Sequence, residues 1–218
     1  ATGVAHEIRN PLASIRLGLQ AAAQGLEVGD TETAAASLRI IDHEIERCIG
    51  ITGSLLKLST PSTGVDLVAV ADLVGEVTSL LAYEAESENI DVVVDVEPGL
   101  RIFAPDSEMR MVVTNLTQNA FHAMPEGGCL RIEGRRDGAD IVLSFADQGV
   151  GIRPEDLEAI FLPFWSRRAD GVRGTGLGLA ICSAIVKRAR GTITVASTPG
   201  EGSRFTVRIP DADQLDEA

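Results

Sequence analysis

The sequence predicts an α+β chain. An antiparallel two-helix hairpin over residues 1–60, paired with a second copy into a four-helix bundle, is followed over residues 65–211 by an α/β sandwich. Three observations carry this prediction. Apolar residues recur at alternating spacings of three and four through the first region. Pro61-Ser62-Thr63-Gly64 then breaks the helical pattern as a linker does. Beyond it, short β-branched runs interleave with helical periods without regular βαβ order, which predicts a mixed sheet with helices on one face.

The first helix is read from Ala5, Ile8, Leu12, Ile15, Leu19, Ala22 and Leu26, an a/d seam. His6 and Asn10 fall outside that seam and, four apart, project from one solvent-side face. Pro11 lies inside the pattern and predicts a kink just after the histidine. A glycine-containing turn, Gly25 to Asp30, leads to a second helix from about Thr31, with Glu32 near its start. There Ala34, Leu38, Ile41, Ile45, Cys48, Thr52, Leu55 and Ser59 repeat the spacing. Two such helices joined by a short turn form an antiparallel hairpin whose apolar stripes stay half exposed, and this predicts a homodimer through the region.

In the second region Val65 to Val70 is read as a short strand and Leu73 to Ala85 as a helix. Ile90 to Val96, β-branched and alternating with acids, is a strand ended by Pro98-Gly99. Asp106 to Met124 is a helix, ended by Pro125-Glu126-Gly127-Gly128. Leu130 to Arg135 and Ile141 to Ala146 form a strand pair through Asp137-Gly138, and Pro154 to Ile160 is a short helix. Residues 162–174 lack periodicity. Leu177 to Arg190 is helical, Thr192 to Ala196 and Ser203 to Ile209 form a last hairpin, and the acidic tail from Asp211 is expected to fray.

Composition sets limits on function. Of 218 residues 44% are hydrophobic but only 4% aromatic, so the core is built from aliphatic side chains. A net charge of −13 repels phosphate backbones and argues against nucleic acid as a partner. A nucleotide then needs a local site with its own donors and a metal. Cys48, Cys129 and Cys182 are odd in number and far apart, and no secretory leader is visible, which predicts a reducing, cytoplasmic setting. No apolar run reaches membrane-spanning length, and the chain opens in mid-helix pattern, as a piece of a longer protein would.

Five stretches carry chemistry. His6-Glu7-Ile8-Arg9-Asn10-Pro11-Leu12 sets an imidazole beside a carboxylate, with an amide one turn on. Asn115, Asn119 and His122 share a helix face, and amide oxygens there can ligate a hard cation such as Mg²⁺. Asp147-Gln148-Gly149-Val150-Gly151 follows a strand, so glycines admit a ligand close to the backbone while Asp147 can accept from an exocyclic amine. Phe161-Leu162-Pro163-Phe164-Trp165, with Arg167 and Arg168, reads as a hinged lid or as an ordinary packed loop. Gly174-Thr175-Gly176-Leu177-Gly178-Leu179 opens a helix, where backbone N–H groups favour phosphate. It has neither the spacing of a dinucleotide-binding fingerprint nor the Gly-Lys-Ser/Thr of a Walker loop.

Taken in order, these stretches resemble the H, N, G1, F and G2 boxes of the sensor histidine kinases of two-component systems, and the resemblance covers nearly the whole chain. It implies a dimerisation and phosphotransfer hairpin followed by a Bergerat-type ATP-binding sandwich, acting as an ATP-dependent protein-histidine kinase. His6 would accept the phosphoryl group from ATP and pass it to an Asp of a response regulator. Glu7 would act as base or polarise the imidazole, and Asn10 would orient water when the same site dephosphorylates the regulator. Asn119 would ligate Mg²⁺, with Asn115 beside it and Glu108 polarising a metal-bound water. Asp147 would bind the adenine amine, in a pocket shaped by Gly149 and Gly151. Gly174, Thr175, Gly176, Leu177 and Gly178 would hold lid and triphosphate, and His122 and Arg168 would touch phosphate. The alternative is a non-catalytic dimeric scaffold switched by ATP, and a third reading is an ATPase of the gyrase and chaperone superfamily. A phosphorylation test separates the first from the second. Phosphate release that survives loss of His6 would mark the third.

Overall fold

The computed structural model describes residues 2–59, 64–166 and 175–215, with side chains from residue 11 onward except at 43, 46, 47, 49–59 and 215. The chain divides into two compact units, residues 1–60 and 61–218.

The first unit is a helical hairpin of α1 (Thr2–Glu27) and α2 (Thr31–Ser59). α1 continues through Pro11, whose ring nitrogen has no hydrogen to give the carbonyl of Glu7. Asp30 starts α2: its carboxylate accepts the Thr33 N–H at 3.0 Å and the Thr33 hydroxyl at 2.6 Å. The buried stripe is not the expected seam. On α1 Pro11, Gly18 and Gly25, one position before the seam's leucines, are buried together with Ala22 of the seam, and on α2 Ala34 and Ile41 of the seam are buried with Ser37. A Cβ on Gly18 would stand 2.8 Å from Ile41 Cγ1, so the two backbones approach closely there. The other stripe faces out: Leu12, Leu19 and Leu26 are 53%, 54% and 64% exposed, and Leu38 and Ile45 of α2 are exposed too. One hairpin therefore buries only half of its apolar periodicity.

The second unit opens with β1 (Asp66–Ala69), α3 (Val70–Leu80) and α4 (Ala82–Ser87). The helix expected over Leu73 to Ala85 begins earlier and breaks at Leu81. After β2 (Ile90–Val96) comes β3 (Arg101–Ala104), a strand the sequence did not reveal. Its four residues offer too few alternations to register as a period, and it forms only by pairing antiparallel with β1. α5 (Asp106–Ala123) packs Met109, Val112, Val113, Leu116 and Phe121 inward, all at most 1% exposed. β4 (Gly128–Asp137) and β5 (Asp140–Asp147) form the expected pair. The short helix expected from Pro154 is instead two 3₁₀ turns, Pro154–Asp156 and Ala159–Phe161. α6 (Gly178–Arg188), β6 (Thr192–Thr198) and β7 (Gly202–Pro210) follow.

The main sheet runs β2-β4-β5-β7-β6, with β2 and β4 parallel and every other pair antiparallel. Helices α3, α5 and α6 pack on one face. The tail does not fray at Asp211. That residue is fully buried, its N–H donates to the Ala139 carbonyl at 3.0 Å, and its carboxylate pairs with Arg136 at 2.7 Å. A last helix, α7 (Ala212–Leu215), follows. Among the described residues no helix is long and apolar enough to cross a membrane.

Candidate functional site

A cavity of about 560 Å³, a size suited to a small-molecule ligand, lies in the second unit. It joins sequence stretches that lie far apart. α5 supplies one wall: its apolar face is locked in the core, so Asn115, Asn119 and His122, at helical spacing, turn to the cavity. Gln118 lines it as well and donates to Glu84 at 3.4 Å.

The floor is Asp147, the last residue of β5. Its Oδ1 accepts the N–H of Gly149 at 2.9 Å and of Ser203 at 3.2 Å. Burial pushes this carboxyl above its ordinary range, against the two backbone donors that pull it down. The loop after Asp147 is pinned on both sides. Val150 N–H donates to Ala123 O at 2.9 Å, Gly200 N–H to Val150 O at 2.8 Å, and Ile152 N–H to Ser197 Oγ at 2.8 Å. Gly151 takes φ 68°, and a Cβ there would run into the Thr198 carbonyl oxygen, so only glycine fits.

The remaining wall comes from the start of α6 and the end of the aromatic stretch. Phe164 N–H donates to Gly176 O at 2.8 Å, which closes a neck between Trp165 and Thr175, both of which line the cavity. Phe164 and Gly176 both hold positive φ, 68° and 63°, and a Cβ on Gly176 would meet the Phe164 backbone. Gly178 opens α6, and a Cβ there would lie 3.0 Å from Asn115 Oδ1, so the amide lies directly over the helix start. That start aims backbone N–H groups and the positive end of the helix dipole at the same space.

The cavity thus unites Asn115, Asn119, His122, Asp147, Gly151, Thr175, Gly176 and Gly178 of the expected set. Gly149 does not line it but holds Asp147 from behind. Two expectations are corrected. Leu177 is fully buried and anchors the start of α6 in the core, with no face on the cavity. Glu108 is buried at the far end of α5, 3.0 Å from the Arg188 guanidinium and eleven residues before Asn119, roughly 16 Å along a helix. It is therefore too far away to polarise water at a metal held by Asn119. Arg168 and Gly174 lie outside the described residues. His6, Glu7 and Asn10 lie on α1, and their side chains are outside the described set.

Sequence reading missed Ile160, Ser203 and Phe205, which also line the cavity. Ser203 faces Asp147 only through the β5–β7 register, and Ile160 and Phe205 look like ordinary core positions in a linear reading. A hard cation fits the donor set. Among the described residues the buried Nδ2 of the Asn119 amide has no hydrogen-bond partner, so none of them holds it there and the amide oxygen can turn to a metal. Mg²⁺ needs few protein oxygens when phosphates and water complete its shell.

Comparison with known proteins agrees with this architecture. Residues 105–213 match the family model described as histidine kinase-, DNA gyrase B-, and HSP90-like ATPase. Residues 1–64 match the His Kinase A (phospho-acceptor) domain. Among curated relatives, the sensor histidine kinase ZraS of Salmonella typhimurium is 34% identical over 213 residues, 96% of this chain and 45% of that protein. The chain therefore spans under half the length of that relative. The solved complex of histidine kinase ThkA with response regulator protein TrrA superposes with a TM-score of 0.78 at 29% identity, covering 96% of this chain and 60% of that one. The Acinetobacter baumannii histidine kinase AdeS shares the fold, with a TM-score of 0.77 at 22% identity over 95% of this chain and 98% of that one.

Proposed function

The chain belongs to the sensor histidine kinases, and from that premise we propose that it is a kinase core. It binds ATP with Mg²⁺ in the cavity, moves the γ-phosphoryl group to His6 and passes it to an Asp of a response regulator receiver domain. The observation that carries this reading is the single cavity to which Asn119, Asp147, Gly151 and Gly176 all contribute, in a chain that also matches a phospho-acceptor hairpin. The solved assembly of the relative ThkA with a response regulator supports the same class of partner.

Each residue then has a task. Asp147 accepts from the adenine amine, and Ile160 and Phe205 enclose the base. The α6 start receives the phosphates, with His122 and Arg168 as further contacts. Asn119, with Asn115 beside it, holds Mg²⁺, which supplies charge neutralisation at the phosphate oxygens. A neutral ring nitrogen of His6 attacks the γ-phosphorus while the bond to the bridging oxygen breaks and ADP departs with that electron pair. Glu7 takes the proton from the other ring nitrogen. Asn10 orients water when the phosphoryl group is removed from the regulator. The exposed stripe of Leu12, Leu19 and Leu26 supports a homodimer through the hairpin.

Label transfer from γ-labelled ATP with Mg²⁺ tests the reading. The native chain is expected to take up an acid-labile, base-stable label that His6→Gln and Asn119→Ala both abolish. Label retained in His6→Gln, or steady phosphate release undiminished by it, overturns the assignment.

A further inference from the structure

Next to Asp147 is a hydrogen-bonded serine pair that the reaction itself does not use. Ser197, on β6, has one hydroxyl hydrogen and two lone pairs, and all three are engaged. The hydrogen goes to the Gly202 carbonyl at 2.8 Å. One lone pair accepts the Ile152 N–H at 2.8 Å. The other faces Ser203 Oγ at 3.0 Å. Because the Ser197 hydrogen is already given to a carbonyl, which cannot donate in return, Ser203 must be the donor in that contact. The Ser203 hydroxyl is thereby left with acceptor capacity only, at a residue that lines the cavity beside Asp147.

We infer that Ser197 is a positioning residue for purine selection: by holding the Ser203 hydrogen, it makes the base-recognition edge of the cavity acceptor-only and so selects an exocyclic amine over a carbonyl. The inference rests on the ATP-binding reading and deepens it. Asp147 Oδ1 is already taken by the Gly149 and Ser203 N–H groups, so Oδ2 is the carboxylate oxygen not spent on them. Oδ2 and the Ser203 hydroxyl oxygen are then two acceptors on residues paired directly across β5 and β7. An adenine amine has two hydrogens to give them. A hypoxanthine base puts the lone pairs of its 6-carbonyl in that place, which both acceptors repel, and its neighbouring N1–H can satisfy at most one of them. Ser197 does not line the cavity and touches the base only through Ser203.

The test compares ATP with inosine triphosphate. Trp165 is the only tryptophan and lines the cavity, so its fluorescence reports binding of either. In Ser197→Ala the Ser203 hydroxyl is free to rotate and present its hydrogen to the ligand. ATP should then bind about threefold weaker and inosine triphosphate tighter, lowering the preference for ATP about tenfold. Ser197→Thr keeps the hydroxyl and should restore the native ratio. Ser203→Ala, which leaves Ser197 bonded to Ile152 and Gly202, should also lower it, and this keeps the inference testable if Ser197→Ala fails to fold. A merely structural serine would weaken both nucleotides alike, so an unchanged ratio in Ser197→Ala or Ser203→Ala overturns the inference. A native chain that binds neither nucleotide overturns the ATP reading itself.

Discussion

Asp147 ends β5 directly opposite Ser203 on β7, and the Ser203 N–H donates to Asp147 Oδ1 across 56 residues of sequence at 3.2 Å. The Gly149 N–H shares that oxygen, so two backbone donors hold the carboxylate through Oδ1 and leave Oδ2 unspent on them.

Asp147→Asn follows from this geometry. The amide oxygen can keep both backbone donors, while the amide nitrogen replaces the acceptor that would meet the adenine amine. ATP affinity should fall about a hundredfold, since a hydrogen bond to a charged group is lost and two donors now face each other. Binding of inosine triphosphate should improve, and titration of both nucleotides checks it. Stability should move the other way. Burial raises the Asp147 carboxyl above its unfolded value, so the native state is favoured with the group protonated and loses stability as pH rises through the raised value. The unliganded variant should therefore melt higher than the native chain at pH 7. The gain should vanish toward pH about 4, where the unfolded carboxyl also protonates. A variant that melts lower at pH 7 would refute the burial argument.

Gly151→Ala should cripple the site through the backbone. The residue needs φ 68°, which costs an L side chain roughly 1–2 kcal/mol, and its methyl would strike the Thr198 carbonyl. The loop must shift, taking with it the Ile152 N–H bond to Ser197. Nucleotide binding is expected to fall more than tenfold with a lowered melting temperature. Native affinity in this variant would show that the loop conformation does not shape the pocket.

The parts of the site that could be read from sequence are those on regular elements. Asn115, Asn119 and His122 share a face because 3.6-residue periodicity puts them there, and Asp147 follows a clear strand. What could not be read depended on pairing across long separations. Ser203 enters the site through the β5–β7 register and Ser197 backs it through the β6–β7 register, and Asp211 is ordered by Arg136 of β4. Glu108 looked plausible because it lies on the same helix as Asn119, but helix length removes it and Arg188 claims it. The hairpin seam was visible as a period. Which stripe turns inward was not, because Pro11, Gly18 and Gly25, one position before the leucines, obey the same spacing, and the close approach of the two helices at Gly18 and Gly25 suits glycine there.

Thr117→Val tests the core beside the site. Thr117 is fully buried on α5, and its hydroxyl has no hydrogen-bond partner among the described residues. Valine keeps the shape and removes an orphaned polar group, so the second unit should gain about 1 kcal/mol in urea unfolding. Asn119 lies two residues on, and ATP affinity should not change. A loss of stability would mean that the hydroxyl is satisfied in solution by a route such as a buried water.

The exposed stripe of the hairpin gives the last prediction. Leu12, Leu19 and Leu26 recur every seven residues and, with Leu38 and Ile45 of α2, present aliphatic surface that the hairpin itself does not cover. A second copy offers the same surface, as a twofold interface requires. Because Leu12 and Leu19 are already half exposed within one hairpin, charges there cost the fold of that hairpin little but oppose a partner directly. The double variant Leu12→Glu, Leu19→Glu should sediment as a monomer where the native chain sediments as a dimer. ATP binding should be unchanged, because the cavity is built wholly within residues 61–218. Dimers that persist in the variant would place the interface elsewhere. A native chain that is already monomeric at micromolar concentration would leave the stripe without the second copy proposed for it.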